Sequence, residues 1–325
     1  MKPFTYKEAN NVDDAVETIS TVSAAKFIGG GTNLVDLMRE NIEQPDKVID
    51  VTHLPLTEVE ELNDGSIKIG ALVRNSQLAA NKIIRERFPV LSMAILNGAS
   101  AQLRNMATTG GNIMQRTRCY YFYDETSRCN KRKPGSGCDA IDGYNRIHAI
   151  LGTSEKCIAT HPSDMCVAMS MLDAKIIVKG KNGEHEIAFT DFHKLPGDTP
   201  NIETVLQQDE LITAVIIPSL LFAKNSLYRK VRDRASYAFA LVSVAAALEV
   251  ENNIVKNVRL ALGGVAHKPW RAFKAENYLM NKQATEENFY AAAEEELENA
   301  KGFGDNNFKI ELAKRTIVSV LKELV

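Results

Sequence analysis

A chain of 325 residues with 45% hydrophobic and 25% charged side chains has the composition of an ordinary globular protein, which excludes extended disorder and collagen-like or coiled-coil architecture. Its 39 basic and 41 acidic residues leave a formal net charge of −2, so no global field draws in nucleic acid or an anionic membrane surface. The length predicts two domains, the first of them subdivided. The N-terminus, Met1-Lys-Pro-Phe-Thr-Tyr-Lys-Glu8, lacks the apolar core of a signal peptide, and no apolar run approaches the roughly 20 residues of a membrane span. Neither export on its own signal nor membrane insertion is expected.

Residues 24–38 read as a short apolar strand, a glycine turn, and then Leu34, Leu37 and Met38 at helical spacing. Lys47–Val51 and Ser66–Gly70 are further strands, the second after the turn signal Asn63-Asp64-Gly65. From Asn75 to Leu96 the apolar positions predict two helices broken near Pro89. Between Arg116 and Gly143 the sequence turns polar, basic and turn-rich with little periodicity, as an ordered insertion would. Ala174–Gly180 and Glu186–Phe189 flank Asn182-Gly183 as a hairpin, and Leu211–Ile217 is a strand stopped by Pro218, where the first domain is expected to end. Strands over Ser226–Val231, Ala238–Val250 and Val258–Val265, then helices over Thr285–Ala300 and Phe308–Val325, close the chain as a small sheet-plus-helices domain. There is no internal repeat or low-complexity tract.

Phosphate is bound where successive backbone N–H groups converge, and glycine permits the convergence because it tolerates φ > 0. Gly29-Gly30-Gly31-Thr32-Asn33 supplies such a loop between a strand and a helix. The dinucleotide fingerprint G-x-G-x-x-G fails, since its third glycine would fall at Leu34. Alone, this loop reads equally as a tight turn without a ligand. Thr108-Thr109-Gly110-Gly111-Asn112 repeats the chemistry, and two such loops could grip one extended dinucleotide from both sides.

All five cysteines, Cys119, Cys129, Cys138, Cys157 and Cys166, fall in one short stretch. The first four are spaced without any C-x2-C pair, so the spacing does not match a zinc ribbon or a compact ferredoxin run. Thiolates on a basic loop suit an iron–sulfur cluster, with Arg116, Arg118, Arg128, Lys131 and Arg132 as counter-charges. Buried unligated thiols, a structural zinc site and two disulfides remain open on the residues alone.

Lys26-Phe-Ile-Gly-Gly-Gly-Thr-Asn33 together with Gln102-Leu-Arg-Asn-Met-Ala-Thr-Thr-Gly-Gly-Asn112 resembles the FAD-binding subunits and domains of xanthine dehydrogenase and related molybdenum hydroxylases. The resemblance implies pyrophosphate and ribityl contacts at Lys26, Phe27, Ile28, Gly29, Gly30, Gly31, Thr32 and Asn33, and at Thr108, Thr109, Gly110, Gly111 and Asn112. It implies an acidic flavin contact at Asp164, a basic one at Lys230, and isoalloxazine packing at or near Ile212. Relatives with xanthine activity place an aromatic residue on the flavin where this chain has Gly98. By their residues alone, Asp164 is a helix N-terminal residue, His161 a loop residue and Lys230 a solvated strand side chain.

Arg116-Thr-Arg-Cys-Tyr-Tyr-Phe-Tyr-Asp124, Cys129-Asn-Lys-Arg132, Pro134-Gly-Ser-Gly-Cys138 and Glu155-Lys-Cys-Ile-Ala-Thr-His-Pro-Ser-Asp164 resemble the FAD subunits of bacterial periplasmic aldehyde oxidoreductases. That resemblance implies a [4Fe–4S] cluster on Cys119, Cys129, Cys138 and Cys157, with Cys166 left as a core thiol. The implied fold is α+β. A two-subdomain FAD-binding domain of the PCMH or vanillyl-alcohol-oxidase type spans 1–222, divided at about 1–55 and 56–222, with the cluster insertion at about 115–158. A small α/β domain of the CO-dehydrogenase-flavoprotein type spans 223–325.

The implied function is electron transfer through FAD to an external acceptor. The partners are a large molybdenum-cofactor subunit that oxidises an aldehyde and a small [2Fe–2S] subunit, together a heterotrimer. No acid–base or nucleophilic constellation is evident or needed. The flavin subunit of a 4-hydroxybenzoyl-CoA reductase-like or xanthine dehydrogenase-like enzyme is an alternative, as is a metal-binding assembly scaffold without flavin. Periplasmic location would follow from co-export on a partner's twin-arginine signal; otherwise the chain stays in the cytoplasm.

Overall fold

The computed structural model describes residues 1–325. The chain builds three sheets in succession. The first is parallel, order β1-β3-β2, from β1 (Thr5–Glu8), β2 (Ala25–Ile28) and β3 (Lys47–Asp50), with helices α1 (Val12–Ser20) and α2 (Leu34–Arg39) as the crossovers. Asn11 caps α1 by accepting from the Asp14 N–H at 2.8 Å. Ala15, Val16 and Ile19 of α1 pack on Ile49 and Val51 as a small separate core.

The second sheet is antiparallel, order β4-β5-β8-β6-β7. Its strands are β4 (Val59–Glu61), β5 (Ile67–Gly70), β6 (Lys175–Gly180), β7 (Gly183–Ala188) and β8 (Leu211–Ile217). β6 and β7 meet at Gly180–Gly183 around Lys181 and Asn182, with Gly183 at φ 111° opening β7 one residue earlier than an Asn182-Gly183 turn would place it. Between β5 and β6 the chain makes α3 (Asn75–Ala80), α4 (Lys82–Arg87), α5 (Pro89–Asn97), α6 (Ala101–Met106), α7 (Thr109–Ile113), α8 (Tyr120–Tyr123) and α9 (Asp164–Met171). The two helices expected over 75–96 are therefore three. Asn81 ends α3 and caps α4, accepting from the N–H groups of Ile83 and Ile84, and Pro89 starts α5 at its first turn.

The third sheet is an antiparallel meander, order β12-β11-β10-β9, formed by β9 (Ser226–Val231), β10 (Val242–Glu251), β11 (Ile254–Gly263) and β12 (Trp270–Arg271). After α10 (Phe189–Phe192), the helices α11 (Phe273–Leu279), α12 (Glu286–Leu297) and α13 (Phe308–Leu324) complete the fold. β11 starts earlier than its hydrophobic run suggests, because Asn252 and Asn253 (φ 51° and 61°) close a two-residue hairpin turn that needs positive φ at both positions. β10 is buried on both faces. Val244, Ala246 and Leu248 face α12 and α13, while Ala245 and Ala247 join the core of the second sheet and α9. One hydrophobic cluster therefore runs across residue 222.

Residues 115–158 contain only the single turn α8, so their order comes from side chains that satisfy backbone carbonyls. Arg132 donates to the carbonyls of Tyr121, Phe122 and Asp124 at 2.6, 2.9 and 2.7 Å. Asn145 donates to the carbonyl of Phe303 at 2.8 Å, and Asn306 to that of Ala149 at 3.1 Å. Lys309, fully buried on α13, donates to the carbonyls of Ile147 and His148 at 3.3 and 2.7 Å and to that of Gly264. This ammonium joins the insertion, the third sheet and the last helix. Lys309→Met removes all three bonds, leaving the Ile147 and His148 carbonyls to the longer contacts of Thr160 and Asn306 at 3.5 and 3.3 Å, and should lower the unfolding free energy by about 2 kcal/mol. The check is a denaturant midpoint that falls at unchanged slope; an unmoved midpoint means the cation joins nothing.

Candidate flavin and iron–sulfur sites

The first glycine loop leaves the C-terminal end of β2 and enters α2. Gly31 has φ +70°, and a Cβ on Gly30 would collide with the carbonyl of Met106. A Cβ on Gly29 or Gly111 would lie 2.9 or 2.8 Å from Thr108 Oγ1. The two loops therefore touch backbone to backbone, and glycine is required because nothing else fits between them. Thr108 caps α7 by accepting from the Gly111 N–H at 3.2 Å. Thr109 and Gly110 donate their backbone N–H groups to the carbonyls of Val73 and Ala71 at 2.9 and 2.8 Å, which ties the second loop to the end of β5.

Both loops line one cavity of about 790 Å³, within the range of small-molecule and cofactor sites. Lys26, Phe27, Ile28, Gly29, Gly30, Gly31, Thr32 and Asn33 all line it, with Thr108, Gly110, Gly111 and Ile212. Asn33 Oδ1 accepts from the Arg116 N–H at 2.9 Å, while its Nδ2 is buried without a partner. The glycine cradle and the cavity's size fit a dinucleotide diphosphate. The ammonium of Lys26 lies 3.6 Å from Glu43 and is half exposed.

Thr109, Asn112, Asp164 and Lys230 are not among the lining residues. Thr109 is fully buried and its Oγ1 bonds the Val73 carbonyl. Asn112 Oδ1 accepts from Ser163 Oγ at 2.6 Å, and Ser163 caps α9, so the second loop is locked to that helix. Asp164 is the first residue of α9 and pairs with Lys230 at 2.8 Å, with side-chain exposures of 7% and 2%. Lys230 is thus a buried partner rather than a solvated strand residue. Tyr228 also donates to Asp164, and its phenol is pushed well above its ordinary value by burial and by that carboxylate. Gly98 lies beside this pair, its Cβ position 3.3 Å from Asp164 Oδ2.

Sequence reasoning gave no signal for the rest of the cavity wall. His161, His193, Glu203 and His267 line it, and the rings of His161 and His193 stand 4.4 Å apart. Burial holds His193 and His267 down to about 4 and His161 well below its ordinary value, so all three are neutral near pH 7. Cys166, fully buried in α9, is kept as a thiol by burial, pushed up to about 12. Its sulfur and the two histidines at 161 and 193 place donor atoms within 4.8 Å of one another.

The other four cysteines line a second, small pocket, and all five are free of disulfides. Cys129 and Cys138 face each other across an isolated antiparallel bridge, and Cys157 closes a turn with Ser154. Leu37, Phe122, Ala140 and Ile158 pack around them. Burial pushes the Cys119 and Cys157 thiols up to about 12 and about 11, and raises Cys138. Thiols so placed ionise only when a positive centre takes the charge, which is the chemistry of a thiolate-held metal cluster. His148 Nε2 lies 3.1 Å from Cys119 Sγ.

The expected ring of five basic residues is not what surrounds the sulfurs. Arg116 pairs with Glu43 and Glu203, Arg118 with Asp36, and Arg132 caps carbonyls. Arg128 reaches the rim, 70% exposed and paired with Asp139. Only Lys131 brings a buried cation to the pocket wall.

Comparison with known proteins agrees with this geometry. The family model described as the FAD binding domain in molybdopterin dehydrogenase matches residues 2–220, and the CO dehydrogenase flavoprotein C-terminal domain matches 226–324. The chain belongs to this family of FAD-binding subunits of molybdenum hydroxylases. It is 52% identical to the aldehyde oxidoreductase FAD-binding subunit PaoB of Escherichia coli, over 99% of this chain and 98% of that one. It is 25% identical to the glyceraldehyde dehydrogenase medium chain of Sulfolobus acidocaldarius, over 87% and 83%. In fold it matches carbon monoxide dehydrogenase from Hydrogenophaga pseudoflava with a TM-score of 0.77 at 24% identity, covering 99% of this chain and 97% of that chain.

Two outcomes follow from the site. Gly30→Ala should force the loops apart, an overpacking cost of about 1–3 kcal/mol, and weaken flavin binding roughly ten- to a hundredfold in a titration of the deflavinated protein. Unchanged affinity would show that the loops do not need their contact. The His193 ring, held neutral in the folded chain, binds a proton more readily once unfolded, so stability is full above about pH 6.5 and drains as pH falls towards 4. The melting temperature of His193→Phe should drop less than that of the parent between pH 7 and pH 4.5, and equal drops would remove His193 from the cause.

Proposed function

We propose that this chain is the electron-relaying subunit of a molybdenum-containing aldehyde oxidoreductase. In this reading it holds FAD between its two glycine loops and a [4Fe–4S] cluster on Cys119, Cys129, Cys138 and Cys157. The observation that carries it is the nearness of two sites of different chemistry: Thr117 and Lys131 line both the flavin cavity and the cysteine pocket. Flavin exchanges electrons singly or in pairs and a cluster singly, so adjacent sites let one chain match carriers of both kinds.

The chain's own residues bind and hold. The backbone N–H groups of residues 29–33 take the diphosphate, Gly110 and Gly111 wall the cavity with their own N–H groups spent on the Ala71 carbonyl and Thr108 Oγ1, and Ile212 covers an apolar stretch of the wall. The cysteines hold the cluster in a pocket closed by Phe122 and Ile158. The aldehyde as source of electrons is supported by the 52% identity to a subunit named for that activity. The large molybdenum-cofactor and small [2Fe–2S] partners are supported by the medium-chain names of the relatives. Work in the periplasm, after co-export on a partner's twin-arginine signal, completes the reading.

Anaerobically purified complex should show a flavin band that dithionite bleaches, together with cluster iron on this chain. Cys129→Ala should remove that iron while Cys166→Ala leaves it in place. Equal iron loss from both variants overturns the ligand assignment, and a spectrum with no bleachable flavin overturns the function.

A further inference from the structure

We infer that Lys131 is a positioning residue that sets the driving force between the two sites, its ammonium drawing electron density toward the cysteine pocket and its partner Glu203 opposing negative charge on the flavin side. This inference rests on the proposed pair of cofactors. Of the residues lining the cysteine pocket, only Thr117 and Lys131 also line the flavin cavity, and of the two only Lys131 carries charge.

Its side chain is 2% exposed, so solvent and salt barely screen it. Nζ lies 2.7 Å from Glu203 Oε1 and donates to the carbonyl of Pro200 at 2.9 Å and to His267 Nε2 at 2.5 Å. Those partners come from two segments, residues 200–203 and His267, both far from residue 131 in sequence, so the ammonium is held from two sides.

Glu203 lines the flavin cavity and not the cysteine pocket. Burial alone would raise its carboxyl, but Lys131 and Arg116 outweigh burial and hold it well below the usual carboxylate range. Arg116 in turn pairs with Glu43 at 2.6 Å. Lys131, Glu203, Arg116 and Glu43 thus form a buried chain that the half-exposed Lys26 closes 3.6 Å from Glu43; Lys131 alone of its members also lines the cysteine pocket, and both carboxylates line the flavin cavity only. Reduction of either centre adds negative charge, which a nearby cation favours and a nearby carboxylate opposes in a poorly screened site. The pair therefore raises the potential of the cysteine-held centre and lowers that of the flavin.

Lys131→Met keeps the length and removes the charge. To avoid stranding a buried carboxylate, the double variant Lys131→Met with Glu203→Gln is measured beside it. Both are prepared in the full complex, with iron and flavin counted before anaerobic redox titration by electron paramagnetic resonance. The expected result in both is full iron with a cluster midpoint lowered by at least tenfold in its equilibrium constant, about 59 mV for one electron. Glu203→Gln alone should raise the flavin midpoint. A cluster midpoint unmoved at full iron in both Lys131 variants overturns the inference, and so does iron lost from both, which would make the residue a structural support. Absence of iron from the parent complex would instead overturn the proposed function.

Discussion

The carbonyl of Met106 lies so close against Gly30 that no side chain fits between them, and the rest of the site depends on that contact. It joins a loop of the parallel sheet to one that hangs from the antiparallel sheet. Both loops then wall the same cavity, and the amides of the second are spent on holding it in place. Each loop is also anchored behind: the first by Asn33 on the Arg116 amide, the second by its amides on the carbonyls of Ala71 and Val73. Binding a diphosphate across two preset loops costs little ordering, because the chain has already lost that freedom on folding.

The cysteine segment obeys a different constraint. With four residues of helix and no strand, it cannot hide its backbone in regular structure. Its carbonyls are satisfied one at a time by Arg132, Asn145, Asn306 and Lys309. Two of those four lie on the segment between α12 and α13 or on α13 itself. The C-terminal layer is therefore part of the second site, and the shared cluster in which Ala245 and Ala247 meet α9 holds that layer in place.

Much of this was readable from residue order, and the boundary follows physical range. The β2–glycine–α2 unit, the Asn182-Gly183 hairpin and the helix from Phe308 are set by neighbours within one or two turns. Periodicity and glycine placement therefore reveal them. The Asn252-Asn253 turn and the Asn81 cap were equally local, but their signal is the asparagine backbone preference rather than hydrophobic spacing, and the hydrophobic run concealed it. Lys230 reads as solvated because nothing in Tyr228-Arg-Lys-Val231 tells of Asp164, which reaches it only through the packing of α9 on β10 and β11. The same holds for Lys131, Glu203 and His267, which meet through contacts between the insertion, the segment before β8 and the β11–β12 connection. By contrast, the separation of Cys166 from the other four cysteines was legible, because an apolar helical neighbourhood predicts core burial.

Charge is distributed around the two sites with economy. A net charge buried between the two sites would be costly to desolvate and would bias both in the same direction. The wall carries a pair instead, with the histidines at 161, 193 and 267 kept neutral by burial. A paired wall has a direction without a large net field. That direction stays fixed only if neither charge can turn toward water. The ammonium of Lys131 is held by the Pro200 carbonyl and His267, and the carboxylate of Glu203 by Arg116. Rigidity at both ends turns an ordinary ion pair into a fixed electrostatic difference between neighbouring sites. In the proposed relay such a difference favours electron movement in one direction.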